Sequence, residues 1–173
     1  MGKIVTKFGG SSLSDAGQFR KVKAILDMDP RRAYVVPSAP GRRFDNDEKI
    51  TDLLYRTYRL WREGEDYMQA FGPVCDRFLG IARELGLRVD IEARLADIRR
   101  ALEAGQGEDY CASRGEYLNG LLLADYLGYD FLDPEAFVFF GPDGAFDSER
   151  TNDTLTALLS EHERAVIPGF YGV

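Results

Sequence analysis

The chain has 173 residues, of which 45% are hydrophobic and 29% are charged, and its formal net charge at pH 7 is -7. A chain of this size and composition is expected to form one globular domain with a buried core. The negative charge, without a clustered run of basic residues, disfavours nucleic-acid binding. The apolar runs are too short to cross a membrane and no signal peptide is recognisable, so we expect a cytoplasmic protein without a membrane partner.

The first elements along the chain predict a parallel βαβ unit. Lys3 to Phe8 is typical of a strand, and the turn Gly9-Gly10-Ser11-Ser12 leads into a helix predicted from about Asp15 to Leu26. The β-branched and aromatic run Ala33 to Val36 predicts the second strand. A loop rich in Pro, Gly, Asp and Asn follows from Pro37 to Lys49.

The remainder of the chain predicts helices with a few short strands. The helical pattern runs from Ile50 to about Leu102, with breaks expected near Gly64, Gly72-Pro73 and Gly86. The later predicted elements are a helix from about Gly115 to Leu127, strand candidates at Tyr129 to Leu132 and Phe137 to Phe140, a helix from about Asn152 to Leu159 and a buried strand from Ala165 to Ile167. Together they predict an α/β fold, a three-layer αβα sandwich with a mainly parallel sheet and a small antiparallel edge.

The strand-to-helix junction Lys7-Phe8-Gly9-Gly10-Ser11-Ser12 is the sharpest local motif. Two glycines let the backbone turn tightly, and the N-terminus of the following helix would present N-H groups and a positive dipole end to an anion. Lys7 would add a point charge for phosphate. The alternative is an ordinary βα turn with a helix cap, in which Lys7 has no special role.

Three motifs in order resemble the aspartate kinases of the amino acid kinase family. They are Lys7 to Ser12, Val35 to Gly41 and Ser113 to Asn119, and the segments Phe146 to Asp153 and Ile167 to Gly172 are also similar. The resemblance covers nearly the whole chain and implies the amino acid kinase (carbamate kinase-like) fold in truncated form. Residues 1–173 would be the N-terminal part of a catalytic domain, which binds the amino acid and the phosphate, with the nucleotide-binding half and regulatory domains absent.

The resemblance also implies a role for individual residues. The transferred phosphoryl group would be contacted by the catalytic lysine and the glycine turn, at Lys7, Gly9, Gly10 and Ser11. The amino-acid substrate would be bound by Ser38, Thr51, Glu116 and Phe170. Glu116 would meet the amino group of the substrate in a charge-assisted contact. No side chain is predicted to be a metal ligand.

Structural alternatives stand beside these roles. Ser113-x-x-Glu116 ahead of an apolar run is also a capping box, which would use Glu116 to complete a helix N-terminus. Ser38 would cap a loop and Thr51 a helix. The pair Arg42-Arg43 is kept as a candidate because it lies in the loop beside the other site residues.

The implied reaction is ATP-dependent phosphorylation of the side-chain carboxylate of L-aspartate to 4-phospho-L-aspartate, the first step of lysine, threonine and methionine biosynthesis. ATP would enter with Mg²⁺ as MgATP, and no general base is needed because a carboxylate is already ionised near pH 7. The alternatives are an amino acid kinase for glutamate, acetylglutamate, carbamate or a nucleoside monophosphate, and a non-catalytic binding module. We expect the parent protein to be a homo-oligomer, and the fragment to be inactive and to self-associate through an open sheet edge.

Overall fold

The computed structural model describes residues 2–173 as a sheet flanked by helices. The strands are β1 Ile4–Phe8, β2 Arg32–Pro37, β3 Asp130–Phe131 and β4 Ala165–Val166. The α-helices are α1 Ala16–Asp27, α2 Ile50–Arg62, α3 Met68–Leu85, α4 Ile91–Glu103, α5 Glu108–Leu127 and α6 Ser148–Glu161. A 3-10 helix at Gly10–Leu13 separates β1 from α1.

The strands form one parallel sheet in the order β1-β2-β4-β3. Lys7 lies opposite Val36 in the register of β1 and β2. Just beyond β2, the backbone N-H of Ser38 donates to the carbonyl of Phe8 at 3.0 Å. Because the carboxyl ends of parallel strands meet at one edge of a sheet, the loops that follow β1 and β2 lie side by side.

The two faces of the sheet are covered by different helices. Val35 and Val166 belong to the main apolar core, which contains residues of α1 to α5. Their neighbours Tyr34 and Ala165 belong to a second cluster with residues of α6. Successive residues of a strand point to opposite faces, so helices lie on both sides of the sheet. The predicted three-layer α/β arrangement is confirmed.

Helix α5 begins at Glu108, well before the predicted start at Gly115. Gly107 is its N-cap residue, and the acidic side chains of Glu108 and Asp109 lie in its first turn, where they interact favourably with the helix dipole. Ser113 and Glu116 therefore lie within the helix. The capping-box alternative for these two residues is wrong.

Two further predictions differ from the structure. Pro73 lies inside α3 and does not break it, because the helix buries an apolar face that includes Phe71 and Phe78. The expected strand Phe137 to Phe140 is not formed, and an isolated antiparallel bridge joins Phe140 to Phe146. Within residues 2–173, that single bridge is all that corresponds to the predicted antiparallel edge.

The loops after β1 and β2 touch through two glycines. The backbone N-H of Gly41 donates to the carbonyl of Gly10 at 2.9 Å. A Cβ atom on Gly41 would lie 2.7 Å from the carbonyl carbon of Gly10 and 2.8 Å from the nitrogen of Ser11. Both neighbours are backbone atoms, so a side chain at this crossing would force the two loops apart.

We predict that Gly41→Ala lowers the free energy of unfolding by about 1–3 kcal/mol, the usual cost of overpacking. Urea denaturation followed by circular dichroism measures it. Gly80→Ala is the matched control, since a Cβ at Gly80 meets nothing within 4 Å. Gly80 lies inside α3, so its replacement should be neutral or stabilise the helix by up to about 1 kcal/mol. Equal free energies of unfolding for the two variants would show that the two loops do not approach each other at Gly41 as closely as described.

Candidate functional site

A cavity of about 400 Å³ opens where the loops after β1 and β2 meet the helices. Four segments contribute to it, namely the 3-10 helix, the loop after β2, the start of α2 and the middle of α5. Its lining residues are Gly10, Ser11, Ser38, Ala39, Pro40, Gly41, Arg42, Lys49, Thr51 and Glu116. The position agrees with the general rule that ligands of open α/β sheets bind at the carboxyl ends of the strands.

The cavity brings together the predicted site residues Gly10, Ser11, Ser38, Thr51 and Glu116. The remaining predicted site residues, Lys7, Gly9 and Phe170, are not part of its lining. Residues from both predicted groups, those for the phosphoryl group and those for the amino acid, therefore share one cavity.

Glu116 is buried, with 9% of its surface exposed. Its Oε1 accepts a hydrogen bond from the backbone N-H of Ala39 at 3.1 Å. Its Oε2 is buried and has no hydrogen-bond partner among the described residues. Burial raises the pKa of the Glu116 carboxyl, and the bond from Ala39 opposes the rise only in part. The free oxygen is an acceptor prepared for a donor that enters the cavity.

Asn119 was not predicted as a site residue, although it lies one helical turn after Glu116. It is fully buried, and its Nδ2 donates to the carbonyl of Ser38 at 2.6 Å. Its Oδ1 is buried without a partner in the described part of the chain. Glu116 and Asn119 are three residues apart, so they share one face of α5, and this spacing was the available signal. Asn119 fixes the backbone of the loop after β2.

Ser38 and Thr51 lie on opposite ends of the loop between β2 and α2. No hydrogen bond is assigned to the hydroxyl of Ser38 among residues 2–173, so nothing supports the loop-capping alternative. The N-cap of α2 is Lys49, and Thr51 is the second residue of the helix. The helix-capping alternative for Thr51 is therefore wrong.

The N-terminus of α1 is capped by an acidic side chain of the chain itself. Asp15 is the N-cap, and its Oδ1 accepts from the backbone N-H of Gln18 at 2.9 Å. A carboxylate thus already occupies this helix end. The part of the motif that reaches the cavity is the 3-10 helix, through Gly10 and Ser11.

A buried arginine on α3 binds the two segments that form one side of the cavity. Arg77, on α3, donates from Nη1 to the carbonyls of Gly41 at 2.9 Å and Ser14 at 3.2 Å. Its Nη2 donates to Oδ2 of Asp47 at 2.6 Å. Arg43 also donates to Asp47, and together with Arg77 it holds the pKa of that carboxyl well below its usual range. Arg77 therefore links the turn after β1 to the loop after β2.

Lys7 is exposed near the end of β1. Its neighbour Phe8 packs against the main core, so Lys7 lies on the other face of the edge strand. No hydrogen bond or ion pair of its amine is assigned within residues 2–173. The amine is thus available to a ligand.

Phe170 lies beside a different cavity, of about 490 Å³, whose lining includes Arg114 and Tyr171. Its φ of 79° is the only positive value at a non-glycine residue in the described chain, and 61% of its surface is exposed. This conformation is uncommon for a bulky side chain and is typical of functional sites.

The described residues contain neither a cluster of metal-ligating side chains nor a membrane-spanning helix. Between residues 2 and 173 there is no group of three or more His, Cys, Asp or Glu side chains that could hold a metal ion. None of the helices described above is both long and apolar enough to span a bilayer.

Residues 2–173 match the model of the amino acid kinase family. The chain belongs to this family. Aspartokinase 3 of Bacillus subtilis (strain 168) is 32% identical over 182 residues, a match that covers 97% of this chain and 40% of the relative. The resemblance to aspartate kinases is confirmed at the level of sequence.

Solved structures of aspartate kinases share the fold of this chain. The crystal structure of aspartate kinase from Clostridium acetobutylicum has 44% sequence identity and a TM-score of 0.95, covering 99% of this chain and 40% of its own. E. coli aspartokinase III in complex with aspartate and ADP has 22% identity and a TM-score of 0.79, which shows the shared fold, over 98% of this chain and 41% of its own. The amino acid kinase fold is confirmed, and the chain spans about 40% of the length of these relatives.

We predict that Glu116→Gln stabilises the fold increasingly as the pH rises. Burial raises the folded-state pKa of Glu116 above its ordinary value of 4.5. The contribution of this carboxyl to the free energy of unfolding is therefore complete below about pH 4.5 and is lost as the pH rises through the folded pKa. Glutamine does not titrate and still accepts from Ala39. The variant should match the unsubstituted chain at about pH 4 and exceed it by on the order of 1 kcal/mol at about pH 8.

Urea unfolding at a series of pH values measures this difference. The exposed Glu65 supplies the control variant Glu65→Gln, whose stability should follow that of the unsubstituted chain. A constant difference between Glu116→Gln and the unsubstituted chain across the pH range would show that the buried carboxyl does not titrate as described.

Proposed function

We propose that this chain supplies the aspartate and phosphoryl sites of a kinase that transfers the γ-phosphoryl group of ATP to the side-chain carboxylate of L-aspartate. The observation that carries the proposal is the unpartnered Oε2 of Glu116, which is buried at a cavity shared with Gly10 and Ser11. The similarity to the aspartate kinase of Clostridium acetobutylicum supports the choice of substrate.

The amino group of aspartate would be bound by Glu116. An ammonium group donates to the free carboxylate oxygen and supplies the opposite charge that a buried carboxylate needs. A neutral or anionic group at the same position would leave the carboxylate unpaired. Ser38 and Thr51, which line the same cavity, would donate from their hydroxyls to the carboxylates of the substrate. The site therefore favours a free amino acid.

Phosphoryl transfer would depend on stabilising the negative charge of the phosphoryl oxygens more than on a covalent bond to the protein. A side-chain oxygen of aspartate forms the new bond to phosphorus while the bond to the ADP oxygen breaks, and ADP leaves without a proton transfer. Because the attacking carboxylate is ionised near pH 7, no side chain is needed as a base. The amine of Lys7 and the backbone N-H groups of Gly9, Gly10 and Ser11 would offset the converging negative charges.

The nucleotide would enter as MgATP, with the metal ion as part of the substrate. We propose that residues 1–173 form the amino-acid and phosphate half of the catalytic domain and that a nucleotide-binding half completes it, since the relatives are much longer than this chain. The isolated chain should then be inactive. Assembly of several copies, a cytoplasmic location and a place at the start of lysine, threonine and methionine biosynthesis stay predictions.

The test is an assay in which hydroxylamine traps the acyl phosphate as its hydroxamate, using the enzyme that joins this chain to its nucleotide-binding half. Product should form with L-aspartate and not with glutamate. Lys7→Met should lower kcat on the order of 100-fold or more, because it deletes positive charge in the transition state.

Lys21→Gln, an exposed lysine of α1, is the matched control and should retain full activity. Melting curves of both variants should coincide with that of the unsubstituted enzyme. Equal turnover by Lys7→Met would remove Lys7 from the catalytic role, and hydroxamate formed with glutamate alone would refute aspartate as the substrate.

Glu116→Gln should weaken the use of aspartate while leaving the KM of MgATP nearly unchanged. Glutamine keeps the shape of the side chain and the acceptor for Ala39, but it replaces the charged oxygen that would bind the ammonium. Loss of a charge-assisted hydrogen bond of about 1.5–3 kcal/mol corresponds to roughly a 10- to 150-fold fall in kcat/KM for aspartate. Unchanged aspartate kinetics would assign Glu116 to the structure alone.

A further inference from the structure

The loop between β2 and α2 is closed at its base. The backbone N-H of Ile50 donates to the carbonyl of Pro40 at 3.1 Å, which joins the two ends of segment 41–49. Inside the segment, the N-H of Asp47 donates to the carbonyl of Phe44 at 3.0 Å. Closure at residues 40 and 50 places Arg42 and Lys49, at the two ends of the segment, beside the same cavity.

The segment has three carboxylates, Asp45, Asp47 and Glu48, and none of them lines the cavity. Asp47 is bonded to two arginines. Nη2 and Nε of Arg43 donate to Oδ1 and Oδ2 of Asp47 at 2.9 and 2.8 Å. Buried Arg77 donates to Oδ2 at 2.6 Å from the other side. Asp47 is therefore neutralised away from the cavity, and the guanidinium of Arg43 is used in doing so.

Two other cations of the loop face the cavity. Arg42 and Lys49 both line it, both are exposed, and no hydrogen bond or ion pair of either side chain is assigned among residues 2–173. Arg42 follows Gly41, whose backbone N-H donates to the carbonyl of Gly10 in the turn after β1. The two cations exceed the single carboxylate in the lining, that of Glu116, so the loop side of the cavity favours an anion.

We propose that Arg42 and Lys49 are additional catalytic residues that contact the phosphoryl group as it passes from MgATP to the substrate carboxylate. The inference rests on the proposed function. In that step two anionic groups converge, one P-O bond forms and another breaks, and charge accumulates on the phosphoryl oxygens. Positive side chains held at the mouth by the closed loop stabilise that charge more than they stabilise the bound substrates.

The experiment compares Arg42→Gln, Lys49→Gln and the double variant in the complete enzyme by the hydroxamate assay. Each single variant should lower kcat on the order of 10-fold and the double variant on the order of 100-fold, with the aspartate KM within about twofold. Arg42→Lys and Lys49→Arg keep the charge and should recover most of the activity. Lys21→Gln changes the net charge equally at an exposed residue that does not line the cavity, and it should leave kcat unchanged.

The outcomes separate the two proposals. An unsubstituted enzyme that does not phosphorylate aspartate overturns the proposed function and this inference with it. An active enzyme whose Arg42 and Lys49 variants keep their full kcat overturns this inference alone. A rise in the aspartate KM at constant kcat also overturns it, because the two cations would then bind the ground-state substrate carboxylate.

Discussion

The hydrogen bond from the backbone N-H of Ala39 to the buried carboxylate of Glu116 joins the loop after β2 to helix α5 at the candidate cavity. One turn further along α5, Asn119 donates to the carbonyl of Ser38. One residue before Glu116, Gly115 lies so close to Ala39 that a Cβ there would approach its side chain to 2.8 Å. These contacts fix the loop after β2 against the central helix, and the cavity depends on that position.

This arrangement costs stability. Buried side-chain atoms without partners among the described residues are Nε of Arg77, Oε2 of Glu116, Oδ1 of Asn119 and the hydroxyl of Tyr171. The first three belong to side chains that bind the loop after β2. Each unmade hydrogen bond of a buried group costs about 1–3 kcal/mol, so native structures keep such groups mainly where they have a function. The fold thus gives up stability in the place where a charged substrate would restore it.

The sequence was sufficient to predict the elements and residues that are marked by a local pattern. β1, β2 and α1 follow from hydrophobic periodicity, and Gly10, Ser38 and Glu116 followed from motifs that resemble a family. The start of α5 was predicted wrongly because Ser113-x-x-Glu116 imitates a helix N-terminus. The helix already begins at Glu108, and its buried run from Cys111 to Glu116 packs as one continuous helix.

Residues that act through distant partners could not be found from the sequence. Asn119 and Ser38 are 81 positions apart, and Arg77 and Gly41 are 36 apart. Neither pair has a local pattern that indicates contact. An arginine among the apolar positions of α3 was the one visible sign, since a buried charge requires a partner.

The chemistry of arginine explains why that buried position is not a lysine. Arg77 reaches the carbonyls of Ser14 and Gly41 with one nitrogen and Asp47 with another, and a planar guanidinium presents these donors in a fixed fork. Burial lowers the pKa of Arg77, and the carboxylate of Asp47 favours its charged form. The same ion pair turns the negative charge of Asp47 away from the cavity. One ion pair therefore both helps to fix the loop and directs the charge of Asp47 away from the candidate cavity.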